Sequence, residues 1–232
     1  MLKVEGVFSG YGKVVVVRDM SITIEKGEIV SIIGRNGVGK STFVKTLMGL
    51  LKTSKGKITF NQQDITRTKA DERAKLGIGY VPQGHGVFPA LTVEENLHMG
   101  KLINKQKPSL NPEQVYDYFP KLKERRKQKA GTLSGGEQAA LSISRAIIGN
   151  PDLLVLDEPT EGIQPNIVYH ISDMIKQINK DIGLTVLFVE QHMGLIQQMS
   201  ERCYAMDKGS IVGEVKHQDV ANYEILKRYL TV

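Results

Sequence analysis

The residues Gly34-Arg35-Asn36-Gly37-Val38-Gly39-Lys40-Ser41 form the pattern G-x-x-x-x-G-K-S, followed directly by Thr42. Glycines at these places let backbone N–H groups close around phosphate oxygens at a helix N-terminus. Lys40 would then neutralise the β and γ phosphates of a nucleotide, and the Ser41 hydroxyl would supply an oxygen to Mg²⁺. The pattern carries this meaning only between a strand and a helix. Its flanks provide both, with the apolar run Ile29–Ile33 before it and Phe43, Val44, Leu47, Met48 and Leu50 at helical spacing after it, which predicts a helix over 40–51.

A second group of chemical residues lies more than a hundred positions on. The apolar stretch Leu153-Leu154-Val155-Leu156 delivers Asp157 and Glu158 at its C-terminal end, where open α/β sheets bind ligands. Successive residues leave a strand in opposite directions, so the pair can divide labour. Asp157 would hold Mg²⁺ and Glu158 would polarise the water that attacks the γ phosphate. An Asp-Glu-Pro terminus alone would merely begin a loop; beside the phosphate pattern it points to ATP hydrolysis.

The third group is Leu133-Ser134-Gly135-Gly136-Glu137-Gln138, opening a helix through Ala139, Leu141, Ile143 and Ile147. A serine followed by two glycines and free helix N–H groups makes a second anion site. Taken alone it is a well-capped helix with a flexible start. Since the first loop already cradles phosphates, this donor set would serve a nucleotide held by another subunit.

The elements that must position these groups follow from periodicity. Met20, Ile22 and Ile24 alternate with polar residues, and Lys26-Gly27 turns the chain into the continuous apolar run ending at Gly34. Strand signals recur at 57–60, 78–81, 152–157 and 185–189, with a helix over about 166–181 and, at 207–232, a strand-rich end with a short helix. Residues 93–129 change to helical and charged, broken at Lys107-Pro108 and Asn111-Pro112. The alternation predicts an α/β fold with a mainly parallel sheet, an antiparallel β edge and an inserted helical lobe. We expect one domain over 1–232, with its core at about 1–83 and 141–232 and the lobe at about 84–140.

Composition narrows the class. The 232 residues are 41% hydrophobic, and the longest apolar runs fall far short of the ~20 residues that span a bilayer. The start, Met1 to Gly6, lacks a long apolar stretch or small-residue cleavage site, so a cytoplasmic chain is expected. The single cysteine, Cys203, excludes an internal disulfide and is expected as a small buried hydrophobe in a strand. The net charge of +6 suits an anionic partner without choosing one, and the basic run 121–129 is expected as the solvated face of a helix.

In the order and spacing of GRNGVGKS at 34–41, YVPQG at 80–84, LSGGEQ at 133–138 and LLVLDEP at 153–159, essentially the whole chain resembles the ATP-binding cassette ATPases. The resemblance implies a RecA-like P-loop NTPase core and an ATPase that works as a head-to-tail pair. It implies Tyr11 as the aromatic that stacks on adenine. Gln83 would reach Mg²⁺ and the attacking water, while Leu133, Ser134, Gly135, Gly136 and Glu137 would contact the ATP of the opposite subunit. Two departures stand out. Family members usually carry an aspartate after the catalytic glutamate, and Gln164 lies near that place in Thr160-Glu161-Gly162-Ile163-Gln164-Pro165. After Val189-Glu190, Gln191 takes the register of the usual switch histidine, with His192 one residue late. The γ-phosphate sensor is therefore one of these two, with the register favouring Gln191.

Within the family the chain is similar to the ATPases of importers for branched-chain amino acids and related small polar solutes. The stretches 160–165, 34–39 and 93–97 most resemble the second ATPase subunit of the urea importers, which makes urea the expected solute and a branched-chain or neutral amino acid the alternative. The implied partners are a second, different cassette subunit, transmembrane permease subunits and, indirectly, a periplasmic or extracellular solute-binding protein, at the cytoplasmic face of the inner membrane. A soluble cassette ATPase acting on nucleic acid or a protein assembly is the rival class. A single cassette with no long coiled-coil insertion or basic tail weighs against it, and no nucleic-acid partner is expected. Intact Lys40, Ser41, Asp157 and Glu158 weigh against a binding module without catalysis.

Overall fold

The computed structural model describes residues 1–104 and 107–230 and falls into two compact units, Met1–Arg73 with Thr185–Val232, and Ala74–Leu184. In the first unit, strands β1 (Leu2–Tyr11), β2 (Val14–Ile24), β3 (Ile29–Ile33), β4 (Thr53–Phe60) and β5 (Gln63–Asp64) surround helix α1 (Lys40–Leu47) in sequence, with α2 (Ala70–Lys75) at the boundary. β2, β1, β4 and β5 lie in that order as an antiparallel sheet, the edge expected from the alternation at Met20, Ile22 and Ile24. All five residues of β3 are buried, which explains an apolar run without alternation.

α1 ends at Leu47, four residues before the expected limit. Gly49 takes a left-handed φ of 72°, and the guanidinium of Arg73 accounts for the stop. Arg73 is 1% exposed and donates to the carbonyls of Thr46, Leu47, Ile65, Thr66 and Thr68 at 2.6–3.1 Å. A buried cation is tolerable because carbonyl oxygens replace its water, and here it also satisfies carbonyls left over at the helix end.

The second unit holds β6 (Ile78–Val81) parallel to β7 (Leu153–Asp157), with helices α3 (Val93–Lys101), α4 (Pro112–Tyr118), α5 (Pro120–Glu124), α6 (Gly135–Ile147) and α7 (Pro165–Ile182). Residues 84–140 fall inside it. Thr92 and Asn111 head capping boxes on α3 and α4, so the break at Asn111-Pro112 is a helix start, while Lys107-Pro108 lies in the connection between the two helices. The basic run 121–129 departs from expectation: its helix stops at Glu124, and the rest forms exposed turns. The reason is tertiary. The first N–H groups of α3, on Val93 and Glu94, donate to the carbonyls of Gln128 and Arg126 at 3.0 Å, which draws that backbone out of helical pairing.

The chain returns to the first unit as β8 (Thr185–Glu190), α8 (Met193–Met199), β9 (Arg202–Asp207), β10 (Ser210–Val215), α9 (His217–Val220) and α10 (Tyr223–Leu230). β3 is parallel to both β8 and β9, and β10 closes antiparallel on β9. Ile33, Ile196, Cys203, Ala205, Val215, Val220 and Leu226 form one apolar cluster under these elements, with Cys203 fully buried as expected. The end is two short helices rather than one, and its last two residues lie outside the described ones. Among the described residues no helix is long and apolar enough to cross a membrane.

Candidate functional site

The glycine-rich loop follows β3 and opens α1, the strand–loop–helix order the pattern requires. Two glycines are enforced by neighbours. A Cβ on Gly34 would sit 2.4 Å from the Met206 carbonyl oxygen, and Gly39, at φ 111°, would press one within 3.2 Å of Val16 and 3.1 Å of Met206. The turn after β9 braces the loop from behind, Gly209 N–H donating to the Val38 carbonyl at 2.8 Å. Gly39 is the N-cap of α1 and offers no side chain, whereas α3, α4 and α6 each carry a capping box. A helix start without a capping side chain, bent around a concave loop, is suited to an anion.

Lys40 is buried, and its Nζ donates to the carbonyls of Gly34 at 2.9 Å and Arg35 at 3.0 Å, folded across the loop it serves. Ser41 and Thr42 follow in the first turn of α1. Tyr11 closes β1 opposite Val14; at 48% and 65% exposure the two present an apolar surface open to a flat ring.

In the second unit, β7 ends in Asp157, 1% exposed, and the chain then bends sharply because Glu158 takes a left-handed φ of 48°. That conformation is uncommon for a residue with a side chain and costs of order 1 kcal/mol. Tyr80, on β6, hydrogen-bonds Asp157 through its phenol, and burial together with the Asp157 charge raises that phenol's pKa, keeping it a donor. Gln83 follows β6 and donates through Nε2 to Glu158 at 3.3 Å and Glu161 at 2.9 Å.

Ser134 is the N-cap of α6, and the segment Ser134-Gly135-Gly136-Glu137 is a capping box. The Glu137 carboxylate accepts from Ser134 N–H at 2.9 Å and from its hydroxyl at 2.8 Å, and its other oxygen pairs with Arg125 at 3.0 Å. Glu137, grouped with the ATP contacts by resemblance, is therefore engaged in holding the helix start. Gly136 packs against Ile167, where a Cβ would approach to 2.6 Å.

After β8, the buried Glu190 carboxylate accepts the N–H groups of Gln191 at 2.8 Å and His192 at 3.0 Å. His192 is more than a loop residue near solvent: it is the N-cap of α8, its Nδ1 accepting from Leu195 N–H at 3.3 Å. The Gln191 side chain is exposed.

Sequence reasoning gave no role to Tyr80 or Glu161, although both stand inside the quoted motifs. Each acts on a partner some 75 to 80 residues away. A phenol one strand from an acidic terminus was the only available signal.

Residues 17–161 match the family model described as ABC transporter. The chain is 40% identical over 213 residues, 91% of each chain, to the high-affinity branched-chain amino acid transport ATP-binding protein BraG of Pseudomonas aeruginosa. It is 36% identical to the probable branched-chain amino acid transport ATP-binding protein LivF of Archaeoglobus fulgidus, over 91% of this chain and 90% of that one. Among solved structures it is similar to a nucleotide-free ATP-binding cassette from an ABC transporter, with TM-score 0.87 and 27% identity over 99% of this chain and 97% of that one. It is also similar to a dimeric post-hydrolysis cassette bound to ADP and phosphate, with TM-score 0.82 and 25% identity over 94% and 99%. The chain belongs to the ABC transporter family, as one of its ATP-binding and ATP-hydrolysing subunits.

Proposed function

We propose that this chain powers an importer of branched-chain or related neutral amino acids. The observation that carries the proposal is the 40% identity to BraG across nine-tenths of both chains, joined by the likeness to LivF. The urea expectation drawn from 160–165, 34–39 and 93–97 finds no support among these relatives, so the amino-acid alternative takes its place.

In this account the backbone of 34–39, with Lys40 and Thr42, takes the phosphates, and the Tyr11 ring stacks on adenine. Ser41, Gln83 and Asp157 offer a hydroxyl, an amide and a carboxylate oxygen, the hard donors that Mg²⁺ prefers. When bound, that ion neutralises charge on the phosphoryl oxygens. Glu158 orients the attacking water, and Gln191 senses the γ phosphate, since His192 is engaged in capping α8. Leu133, Ser134, Gly135, Gly136 and Glu137, at the start of α6, act on ATP held by a second cassette, supported by the dimeric state of the similar cassette with ADP and phosphate. The pair would sit at the cytoplasmic face of the membrane on permease subunits, which the lobe at about 84–140 engages, with a solute-binding protein outside.

Uptake by cells decides the solute. Deleting the gene should abolish high-affinity uptake of radiolabelled leucine, isoleucine and valine, restored by the intact gene and not by a Lys40→Ala copy. Loss of urea uptake with normal amino-acid uptake would overturn the proposal.

A further inference from the structure

One turn supplies both carboxylates that hold Gln83. Glu161 N–H donates to the Glu158 carbonyl at 3.2 Å, closing a turn in which Glu158 has φ 48°, and so brings side chains three residues apart onto one partner. Gln83 Nε2 lies 2.9 Å from Glu161 and 3.3 Å from Glu158.

Carboxylate oxygens only accept, so the end of the Gln83 amide facing them has to be its NH₂. A primary amide is nearly symmetric in shape, and hydrogen-bond partners alone decide which way round it sits. With both N–H groups engaged by Glu161 and Glu158, the carbonyl oxygen is turned away from the two charges. Glu161 makes the shorter bond and is exposed, so it does not need to shed water as the buried Glu158 does. The same carboxylate also acts electrostatically on His85, two residues beyond Gln83, opposing the lowering that burial imposes on that ring.

We propose that Glu161 is a positioning residue: it fixes the Gln83 amide so that the oxygen, not the nitrogen, is offered to the nucleotide's Mg²⁺. This rests on the role given to Gln83 under the proposed function. Without Glu161 the amide keeps one weaker carboxylate contact and can flip.

Two measurements test it. In the ligand-free full chain, NMR exchange of the Gln83 side-chain amide protons with water should quicken about tenfold in Glu161→Ala, on the scale of one charge-assisted hydrogen bond. Glu161→Gln, which retains an acceptor oxygen, should stay near wild type. In the assembled transporter, Glu161→Ala should raise the Mg²⁺ concentration for half-maximal ATP hydrolysis about tenfold with little change in kcat at saturating Mg²⁺. It should have no further effect in a Gln83→Ala background. Unchanged amide exchange, or an equal effect of Glu161→Ala with and without Gln83, overturns the proposal. Normal hydrolysis by Gln83→Ala at all Mg²⁺ concentrations would instead remove the role of Gln83 itself, and a quickened exchange in Glu161→Ala would then still show the contact.

Discussion

The Ser134 hydroxyl donates to the Glu137 carboxylate at 2.8 Å while Glu137 N–H returns to the same hydroxyl oxygen at 3.4 Å, so the start of α6 is held by its own first turn. The pair acts before any nucleotide is bound. Glu137→Ala should therefore destabilise the isolated chain by about 1 kcal/mol, the usual cost of losing a cap. Burial works to raise the pKa of Glu137, but the hydrogen bonds from Ser134 and the Arg125 charge outweigh it, and the net shift is downward. A lowered carboxylate pKa stabilises the fold above the ordinary glutamate value, and that contribution fades as pH falls through the lowered one. Thermal unfolding of wild type and variant should differ at neutral pH and converge in acid; a difference that persists in acid would contradict the capping role.

Arg73 gives the largest expected effect on stability. Burial lowers its pKa to about 10, still charged at neutral pH, and its five hydrogen bonds all go to backbone carbonyls. Arg73→Met keeps much of the volume but leaves several buried carbonyls without a donor, and urea unfolding should show a loss of about 3 kcal/mol or more. A loss under ~1 kcal/mol would mean that water reaches those carbonyls.

Tyr80→Phe removes the phenol from Asp157 and little else. The prediction is a fall in ATP hydrolysis of about tenfold to a hundredfold, the worth of one hydrogen bond to a charged group, with the melting temperature shifted only slightly. Unaltered hydrolysis across Mg²⁺ concentrations would show that Asp157 is held well enough without it.

Gln191 and His192 should separate cleanly. His192→Ala removes the cap of α8 and should cost about 1 kcal/mol in stability with a mild effect on turnover. Gln191→Ala should cripple turnover while leaving stability within ~0.5 kcal/mol, as for an exposed side chain. Turnover of both variants in the assembled transporter, beside their melting curves, decides between them, and the reverse pattern would place the sensor at His192.

The parts of the fold that were legible in the sequence are those set by local pattern. The run Ile29–Ile33, the spacing of glycines before Lys40 and the alternation ending at Ile24 each determine their element within ten residues or so. What escaped is set by partners distant in sequence. The helix after Lys40 stops early because Arg73 reaches back to it, and the basic run after Lys121 unwinds because α3 takes its carbonyls. In the same way the candidate residues Gly34, Lys40, Asp157 and Glu158 could be named from motifs. The phenol on Asp157 and the second carboxylate on Gln83 depend on strand pairing and a turn conformation that no spacing rule contains.

Glu158→Gln in the assembled transporter tests whether Glu158 orients the water attacking ATP. The substitution keeps shape and hydrogen-bonding reach but removes the carboxylate charge. ATP should still bind, with affinity changed by no more than about twofold, while steady-state hydrolysis falls by roughly a hundredfold or more. Turnover within a few-fold of wild type would contradict the account.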